Sequence, residues 1–381
     1  MRGNEAFGEG ALRAGCRYTF AYPITPQSEI VHFLARRLPE AGGVFLQVES
    51  EVAAVNMVFG AAAAGARVVT SSSSPGMSLM QEGLSYLAGA RLPCVIVNVM
   101  RGGPGLGNIA PAQGDYLQAV KGGGHGDYRL IVLAPSSVPE IIELMELAFE
   151  LADTYRSPVL VLGDGVLGQM MEPVTVPEGD SPSEGDSPLG AQRGQSPLVS
   201  PLVSPSKPWA VTGQGDRPER NIISSLHIVP EDNERFNREL EQVQMEIRRR
   251  EQRVEEYRVD DAELVLVAFG TVARVAKAVV DRARAGGLRV GLIRPITLWP
   301  FPDETVSRAA ARTESFLVVE MNLGQMVEDV RLAVNGQKPV HFYGRPGGTV
   351  PTVREVWNEV RRIREVSGGE EDLRTAAGPN G

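Results

Sequence analysis

The sequence contains little cysteine. Its 381 residues include two, Cys16 and Cys94, and they form no CxxC pair. A [4Fe–4S] cluster is held by four thiolates, so this chain alone cannot hold one. Both cysteines have apolar neighbours, which predicts that they are buried core residues.

Clustered histidine, long apolar runs and excess positive charge are also missing. Four histidines are scattered without metal-ligand spacing, so no metal site is predicted. No run of about 18 apolar residues occurs, and the N-terminus lacks a basic-then-apolar signal pattern, so we expect a cytoplasmic protein that meets no membrane. A formal net charge of −9 argues against nucleic acid as a partner and makes the chain a poor docking surface for an acidic electron carrier.

Helical and strand patterns alternate along most of the chain. Continuous apolar segments such as Cys94–Val99 and Pro158–Leu162 are typical of parallel strands covered on both faces. The sequence therefore predicts an α/β fold with a doubly wound, mostly parallel sheet over residues 1–172. The same alternation returns over residues 259–367 and predicts a second α/β domain.

The segments between and after these domains have different compositions. Residues 173–230 are rich in proline, serine and glycine, which predicts a linker or an insertion. A charged connector helix is predicted over 231–258, with an apolar seam of Phe236, Leu240, Val243, Ile247 and Val254. It either lies solvated across its own domain or packs between domains or against a partner. Residues 368–381 are predicted to be a flexible tail.

The stretch from Phe20 to Glu51 contains the first candidate site. Pro23 and Pro26 fix a turn after a strand and hold Thr25 in a non-helical position. Glu51 follows the next strand and opens a helix, and ligands of open α/β sheets bind at this carboxyl edge. Alternatively, Thr25 caps a helix and Glu51 only favours a helix N-terminus.

Several short motifs, in this order and spacing, closely resemble one family. They are Gly3-Asn4-Glu5-Ala6, Ala14-Gly15-Cys16, Tyr22-Pro23-Ile24-Thr25-Pro26, Glu49-Ser50-Glu51, Arg101-Gly102-Gly103-Pro104 and Gln113-Gly114-Asp115. The family is the α subunit of thiamine-diphosphate-dependent 2-oxoacid:ferredoxin oxidoreductases, and the 2-ketoisovalerate type is the most similar. The second domain, with its strand–Gly270-Thr271–helix sequence, resembles the C-terminal domain of transketolase-type enzymes.

The resemblance implies a role for an acid beside thiamine. Its carboxylate hydrogen-bonds one nitrogen of the aminopyrimidine and favours the tautomer that removes the thiazolium proton. Glu51 matches this position because it directly precedes a small-residue helix, whereas Glu49 is a rival two residues earlier. The resemblance further implies that Pro23, Ile24, Thr25 and Ser74 contact the cofactor.

Arg101 and Thr25 are the candidates for substrate binding. Arg101 ends an apolar strand and begins a glycine-rich loop, and arginine binds carboxylates in a bidentate manner. The resemblance places a substrate-binding arginine here and gives Thr25 a hydrogen bond to the substrate. Without the family, Arg101 could equally be a surface residue that neutralises a neighbouring acid.

Two glycine-containing motifs resemble cofactor-binding motifs but are not interpreted as such. Gly163-Asp164-Gly165 begins like the diphosphate and Mg²⁺ motif of thiamine enzymes, but the next asparagine is Asn221, beyond the proline-rich segment. We interpret it as a strand-end turn and assign Mg²⁺ and diphosphate to a partner β subunit. The run from Arg101 to Gly107 lacks the following helix and downstream acid of a dinucleotide site.

The implied reaction is oxidative decarboxylation of a 2-oxoacid to an acyl-CoA. Electrons would pass through iron–sulfur clusters on γ and δ subunits to ferredoxin, an arrangement that fits anaerobic metabolism. Within the family, 2-oxoglutarate, pyruvate or an arylpyruvate are alternative substrates. Other classes are a non-oxidative thiamine enzyme half, such as a transketolase or decarboxylase subunit, and a scaffold subunit in which Glu51 and Arg101 are ordinary surface charges.

Overall fold

Seven strands form the first sheet of the computed structural model, which describes residues 1–175 and 207–376. The strands are β1 (Tyr18–Ala21), β2 (Val44–Gln47), β3 (Val68–Ser72), β4 (Cys94–Met100), β5 (Ile131–Leu133), β6 (Pro158–Asp164) and β10 (Thr297–Trp299). Their spatial order is β10-β5-β6-β4-β3-β1-β2. All neighbours are parallel except β10 and β5, which confirms the predicted doubly wound, mostly parallel sheet.

Helices cover both faces of this sheet. One face packs against α1 (Gly3–Arg13), α2 (Ser28–Glu40), α6 (Val138–Tyr155) and the short α7 (Gly165–Gln169). The other face packs against α3 (Glu51–Ala63), α4 (Ser74–Gly89) and α5 (Tyr116–Lys121). Successive residues of β4 belong to the two cores in turn, because side chains alternate along a strand, and all of its positions except Asn98 are therefore apolar. Cys16 and Cys94 are buried, as predicted.

Five strands form the second sheet. They are β7 (Val254–Tyr257), β8 (Leu264–Val267), β9 (Val290–Pro295), β11 (Ser315–Glu320) and β12 (Val340–Gly344), in the spatial order β12-β11-β8-β9-β7. Only the edge strand β7 is antiparallel to its neighbour. The accompanying helices are α9 (Gly270–Ala285), α10 (Asp303–Ala310), α11 (Met326–Val334) and α12 (Val353–Ala376). A second α/β unit is thus present where the sequence predicts one.

The predicted connector helix is shorter than expected. Helix α8 runs from Pro230 to Arg250, so a helix reaching residue 258 is wrong: residues 254–257 form β7. Val254 and Tyr257 are strand-favouring residues, and they pair with β9 in an antiparallel register. Helix α8 itself contacts both units, through Gln244 to the carbonyl of Asp127 and through an Arg248–Asp303 ion pair.

Two other predicted boundaries also differ from the structure. Thr297–Trp299 lies inside the predicted second domain but pairs with β5 of the first sheet. The tail predicted to be flexible from Gly368 continues α12 as far as Ala376, and residues 377–381 lie outside the described residues.

Part of the predicted insert is described. Residues 176–206 lie outside the description, whereas residues 207–229 contain no helix or strand. Within them, Ala210 is buried and Arg156 stacks over the ring of Trp209 at 4.4 Å from its centroid. In the described part of the chain, no helix is long and apolar enough to cross a membrane.

A candidate active site at the carboxyl edge of the first sheet

The predicted site residues follow four neighbouring strands at one edge of the first sheet. Thr25 follows β1, Glu51 follows β2, Ser74 follows β3 and Arg101 follows β4. Helix α2, after β1, packs on one face of the sheet, whereas α4, after β3, packs on the other. A crevice therefore opens between β1 and β3 at the point where ligands of such sheets bind.

Glu51 is the buried acid of this crevice. It is the first residue of α3, whose N-cap is Ser50, and its exposure is 4%. The hydroxyl of Ser72 donates a hydrogen bond to Glu51 Oε1 at 3.1 Å, and no hydrogen bond from the described residues reaches Oε2. Glu49 is exposed. Glu51, not Glu49, is thus the carboxylate that is shielded from water and still has one oxygen available.

Arg101 lies inside the crevice and is only 7% exposed. Its Nη1 donates to the carbonyl of Thr25 at 2.9 Å and its Nη2 to the carbonyl of Leu106 at 3.1 Å. Nε is buried without a partner in the described part of the chain, and no ion pair to Arg101 is found there. The alternative of a surface arginine that neutralises an acid does not fit this geometry.

The turn that carries Thr25 is held by a residue that sequence analysis missed. Gln27 is completely buried; its side chain donates to the carbonyl of Tyr22 at 3.1 Å and accepts from the Ser71 hydroxyl at 2.7 Å. Gln27, rather than Thr25, is the N-cap of α2, so the capping alternative for Thr25 is wrong. Thr25 is exposed, and the neighbouring Pro23 and Ile24 are half-buried.

The hydroxyl of Ser74 forms hydrogen bonds with two neighbouring residues. Its hydroxyl donates to Asp115 Oδ2 at 2.6 Å and accepts from the backbone N–H of Arg101 at 3.0 Å. Asn98 also donates to Asp115 Oδ2, at 2.9 Å. Burial raises the pKa of the Asp115 carboxyl, and the hydrogen bonds from Ser74 and Asn98 oppose that shift. The only sequence signal for Asp115 was its place in the Gln113-Gly114-Asp115 motif.

Asp164 occupies the turn that sequence analysis interpreted as a strand end. It ends β6, is completely buried, and accepts hydrogen bonds from the backbone N–H groups of Val166 and Leu167 and from the hydroxyl of Thr271. Its carboxylate therefore caps α7 and joins the two units. Within residues 1–175 and 207–376, no group of three or more histidine, cysteine or acidic side chains is arranged to hold a metal ion.

Comparison with known families defines the class of protein to which this fold and site belong. Residues 9–255 match the family described as pyruvate flavodoxin/ferredoxin oxidoreductase, thiamine-diphosphate-binding. Residues 262–356 match the core domain II of pyruvate:ferredoxin oxidoreductases. The chain belongs to the thiamine-diphosphate-dependent 2-oxoacid:ferredoxin oxidoreductase family, as its motifs predict.

Three relatives with named substrates are similar to this chain over nearly its whole length. The chain is 50% identical to ketoisovalerate oxidoreductase subunit VorB of Methanothermobacter marburgensis, over 98% of this chain and 99% of the relative. The VorB subunit of Methanothermobacter thermautotrophicus is also 50% identical, with the same coverage. The 2-oxoglutarate synthase subunit KorA of that organism is 38% identical over 95% of this chain and 98% of its own length.

Solved structures support the fold. A 2-oxoglutarate:ferredoxin oxidoreductase from Magnetococcus marinus, with 2-oxoglutarate, coenzyme A and succinyl-CoA bound, has a TM-score of 0.80 and 29% identity over 95% of this chain. This chain spans only 64% of that solved chain. A split-gene transketolase, described as an inactive β4 tetramer, has a TM-score of 0.58 at 13% identity over 95% of this chain and 97% of its own, which shows similarity of fold alone.

Proposed function

We propose that this chain is the α subunit of an oxidoreductase that converts 2-ketoisovalerate to an acyl-CoA and transfers the electrons to ferredoxin. The proposal is supported by 50% identity to two ketoisovalerate oxidoreductase subunits over nearly the whole chain. The 38% identity to a 2-oxoglutarate synthase subunit makes 2-oxoglutarate the second candidate substrate.

The structural observation that most strongly supports a thiamine diphosphate site is the buried carboxylate of Glu51. One oxygen is anchored by Ser72, and no hydrogen bond from the described residues reaches the other. This arrangement fits the aminopyrimidine side of thiamine diphosphate, because a shielded carboxylate oxygen can hydrogen-bond a ring nitrogen strongly. Thiamine diphosphate, when bound, supplies the electron sink for decarboxylation. Glu51 would hold the ring nitrogen, while Pro23, Ile24 and Ser74 border the same crevice.

Arg101 and Thr25 are proposed to bind the carboxylate of the 2-oxoacid. Each terminal nitrogen of Arg101 carries two hydrogens and uses one of them for a backbone carbonyl. The remaining N–H groups and the full positive charge can bind an anion in a partly desolvated site. The backbone carbonyl of Thr25 accepts a hydrogen bond from Arg101 Nη1, so the main chain of this exposed threonine contacts the guanidinium.

The rest of the enzyme is assigned to partner subunits. The carboxylate of Asp164 accepts hydrogen bonds from the first turn of α7 and from Thr271, so we do not assign it to Mg²⁺. We propose that a β subunit binds the diphosphate and Mg²⁺. Apolar side chains on the edge strand β2 and on α3, the helix that begins with Glu51, are exposed and suited to such a partner: Val44 at 47%, Leu46 at 45% and Val52 at 45%. Iron–sulfur clusters on γ and δ subunits would complete the path to ferredoxin.

Coexpression with the neighbouring reading frames tests this function. We expect the purified complex to reduce a viologen dye in a CoA-dependent manner, with the highest kcat/KM for 2-ketoisovalerate. A preference for 2-oxoglutarate would keep the enzyme class and overturn the substrate. No CoA-dependent reduction with any 2-oxoacid, in a complex that contains thiamine diphosphate and iron–sulfur protein, would overturn the function itself.

A further inference from the structure

Asp115 is the N-cap residue of α5, yet its side chain makes no capping hydrogen bond. Aspartate at this position usually accepts a hydrogen bond from the second or third backbone N–H of its own helix. Here the carboxylate turns instead toward Ser74 and Asn98, at 2.6 and 2.9 Å. The helix terminus therefore does not explain the presence of an acid at position 115.

The missing cap is supplied by the second unit. The side chain of Gln325, just before α11, accepts a hydrogen bond from the backbone N–H of Leu117 at 2.9 Å and donates one to the carbonyl of Gly114 at 2.8 Å. Leu117 is the second residue of α5, so its N–H is one of the groups that a cap must satisfy. Gln325 thus takes over the local role of Asp115.

Gln113 fixes the same segment from its other side. Its backbone N–H donates to the carbonyl of Met321 at 3.1 Å, and its Oε1 accepts from the N–H of Met321 at 3.1 Å. Its Nε2 donates to the carbonyl of Phe269 at 3.0 Å. Contacts to the second unit therefore hold the chain on both sides of Asp115.

The direction of the hydrogen bonds at Ser74 follows from its single proton. The hydroxyl donates that proton to Asp115 at 2.6 Å, which leaves its oxygen lone pairs to accept the backbone N–H of Arg101 at 3.0 Å. The alternative acceptor for the proton, the carbonyl of Arg101, is farther away at 3.3 Å. The carboxylate of Asp115 therefore determines which way the Ser74 hydroxyl points.

We propose that Asp115 is a positioning residue, which orients Ser74 so that the backbone of Arg101 is fixed inside the crevice. Gln325 leaves Asp115 free for this purpose, so the second unit acts on the site without touching the substrate. The geometric part stands by itself, whereas its kinetic consequence rests on the proposed function of Arg101. In the described residues Asp115 has no ion-pair partner, and its partly buried carboxylate accepts hydrogen bonds from the side chains of Ser74 and Asn98 instead.

The test compares Asp115→Asn with Gln325→Ala in the complete complex. Asparagine keeps the shape of the side chain but presents an N–H or a weaker acceptor to Ser74. We expect KM for the 2-oxoacid to rise about tenfold while kcat changes less than about twofold. Hydrogen exchange of the backbone amides at 101–107 should become faster. Gln325→Ala should change both quantities in the same direction by a smaller factor.

The matched control is Gln118→Ala on the same short helix: in the described residues its side chain donates a hydrogen bond to the exposed Ser78 and none to Ser74 or Arg101, so both quantities should stay unchanged. If KM for the 2-oxoacid rises in Arg101→Ala but stays unchanged in Asp115→Asn, the positioning role of Asp115 is overturned. If Arg101→Ala itself leaves KM unchanged, the proposed function of Arg101 fails instead. The exchange rates then decide the inference: faster exchange at 101–107 supports it and unchanged exchange overturns it.

Discussion

The carboxylate of Glu51 occupies the space that Gly76 leaves empty. A Cβ atom built on Gly76 would lie 2.3 Å from Glu51 Oε1 and 2.0 Å from the hydroxyl of Ser72. Gly76 belongs to the first turn of α4, whose positive end therefore faces the acid. A glycine at this position allows two helices and one carboxylate to meet at the edge of the sheet.

Gly76→Ala is expected to reduce activity without unfolding the protein. Glycine to alanine inside a helix ordinarily stabilises it by about 1 kcal/mol, but here the new methyl group displaces the flexible end of Glu51. Turnover of the assembled enzyme should fall by about tenfold or more, because the acid is misplaced by roughly an ångström. Thermal melting and steady-state kinetics measure the two effects. The control is Gly286→Ala, at the end of α9, where a Cβ meets only ordinary contacts at 3.4 Å and beyond.

Arg101→Ala is expected to raise KM for the 2-oxoacid far more than it changes the concentration of thiamine diphosphate needed for half-activation. The guanidinium of Arg101 donates a hydrogen bond to the Thr25 carbonyl. Among the described residues it makes no hydrogen bond to Glu51. Loss of a charge-assisted contact typically costs about 2–3 kcal/mol, which corresponds to roughly 30- to 150-fold in KM. Titrations of substrate and cofactor separate the two effects. Arg235→Ala, on the exposed face of α8, serves as a charge-matched control, and an unchanged KM in Arg101→Ala would refute the substrate role.

The two cysteines should be unreactive in the folded protein. Burial raises the pKa of Cys16 to about 11, and burial raises the pKa of Cys94 further. At pH 8 the reactive thiolate of Cys16 is therefore roughly 0.1% populated, in addition to being inaccessible. A chromogenic disulfide reagent should titrate none of the thiols of this chain in native complex and two after denaturation. Reaction of either thiol before unfolding would contradict the burial.

Arg294 is expected to hold the two units together. It is buried at the end of β9 and binds both oxygens of Glu140 in the first unit, at 2.8 and 3.0 Å, and Glu255 at 2.7 Å. Arg294→Met leaves these acids without their shared partner and should lower the free energy of unfolding by about 3 kcal/mol. Chemical denaturation measures this difference. The exposed Arg235–Asp232 pair is the control, and its loss should cost less than about 1 kcal/mol.

The sequence alone predicted the two α/β units and the edge at which the site forms. Pro23, Thr25, Glu51 and Arg101 each follow a recognisable strand, and parallel strands bring their carboxyl ends to one edge. Local patterns also predicted the burial of both cysteines and the end of a strand at Asp164, although the short helix α7 follows there in place of the predicted turn. These features depend on residues that are close together in the chain.

Contacts between distant residues could not be predicted in this way. The pairing of β10 with β5 joins residues from different units, and no periodicity records which sheet a short strand will enter. Gln325 caps α5 from 208 residues away, so Asp115 gave no sign that its own capping role was filled. Val254 fits the apolar spacing of α8 and is therefore predicted to belong to that helix, whereas it pairs with β9 in the second sheet.

The most direct test of the account is Glu51→Gln in the assembled enzyme, with Glu49→Gln as its matched control. Glutamine preserves the size of the side chain and can still accept the hydrogen bond from Ser72, but it cannot share a proton with a ring nitrogen. We predict that 2-oxoacid-dependent dye reduction is abolished in Glu51→Gln while subunit assembly and melting temperature are retained, and that Glu49→Gln is close to wild type. Near-normal turnover in Glu51→Gln would contradict the account.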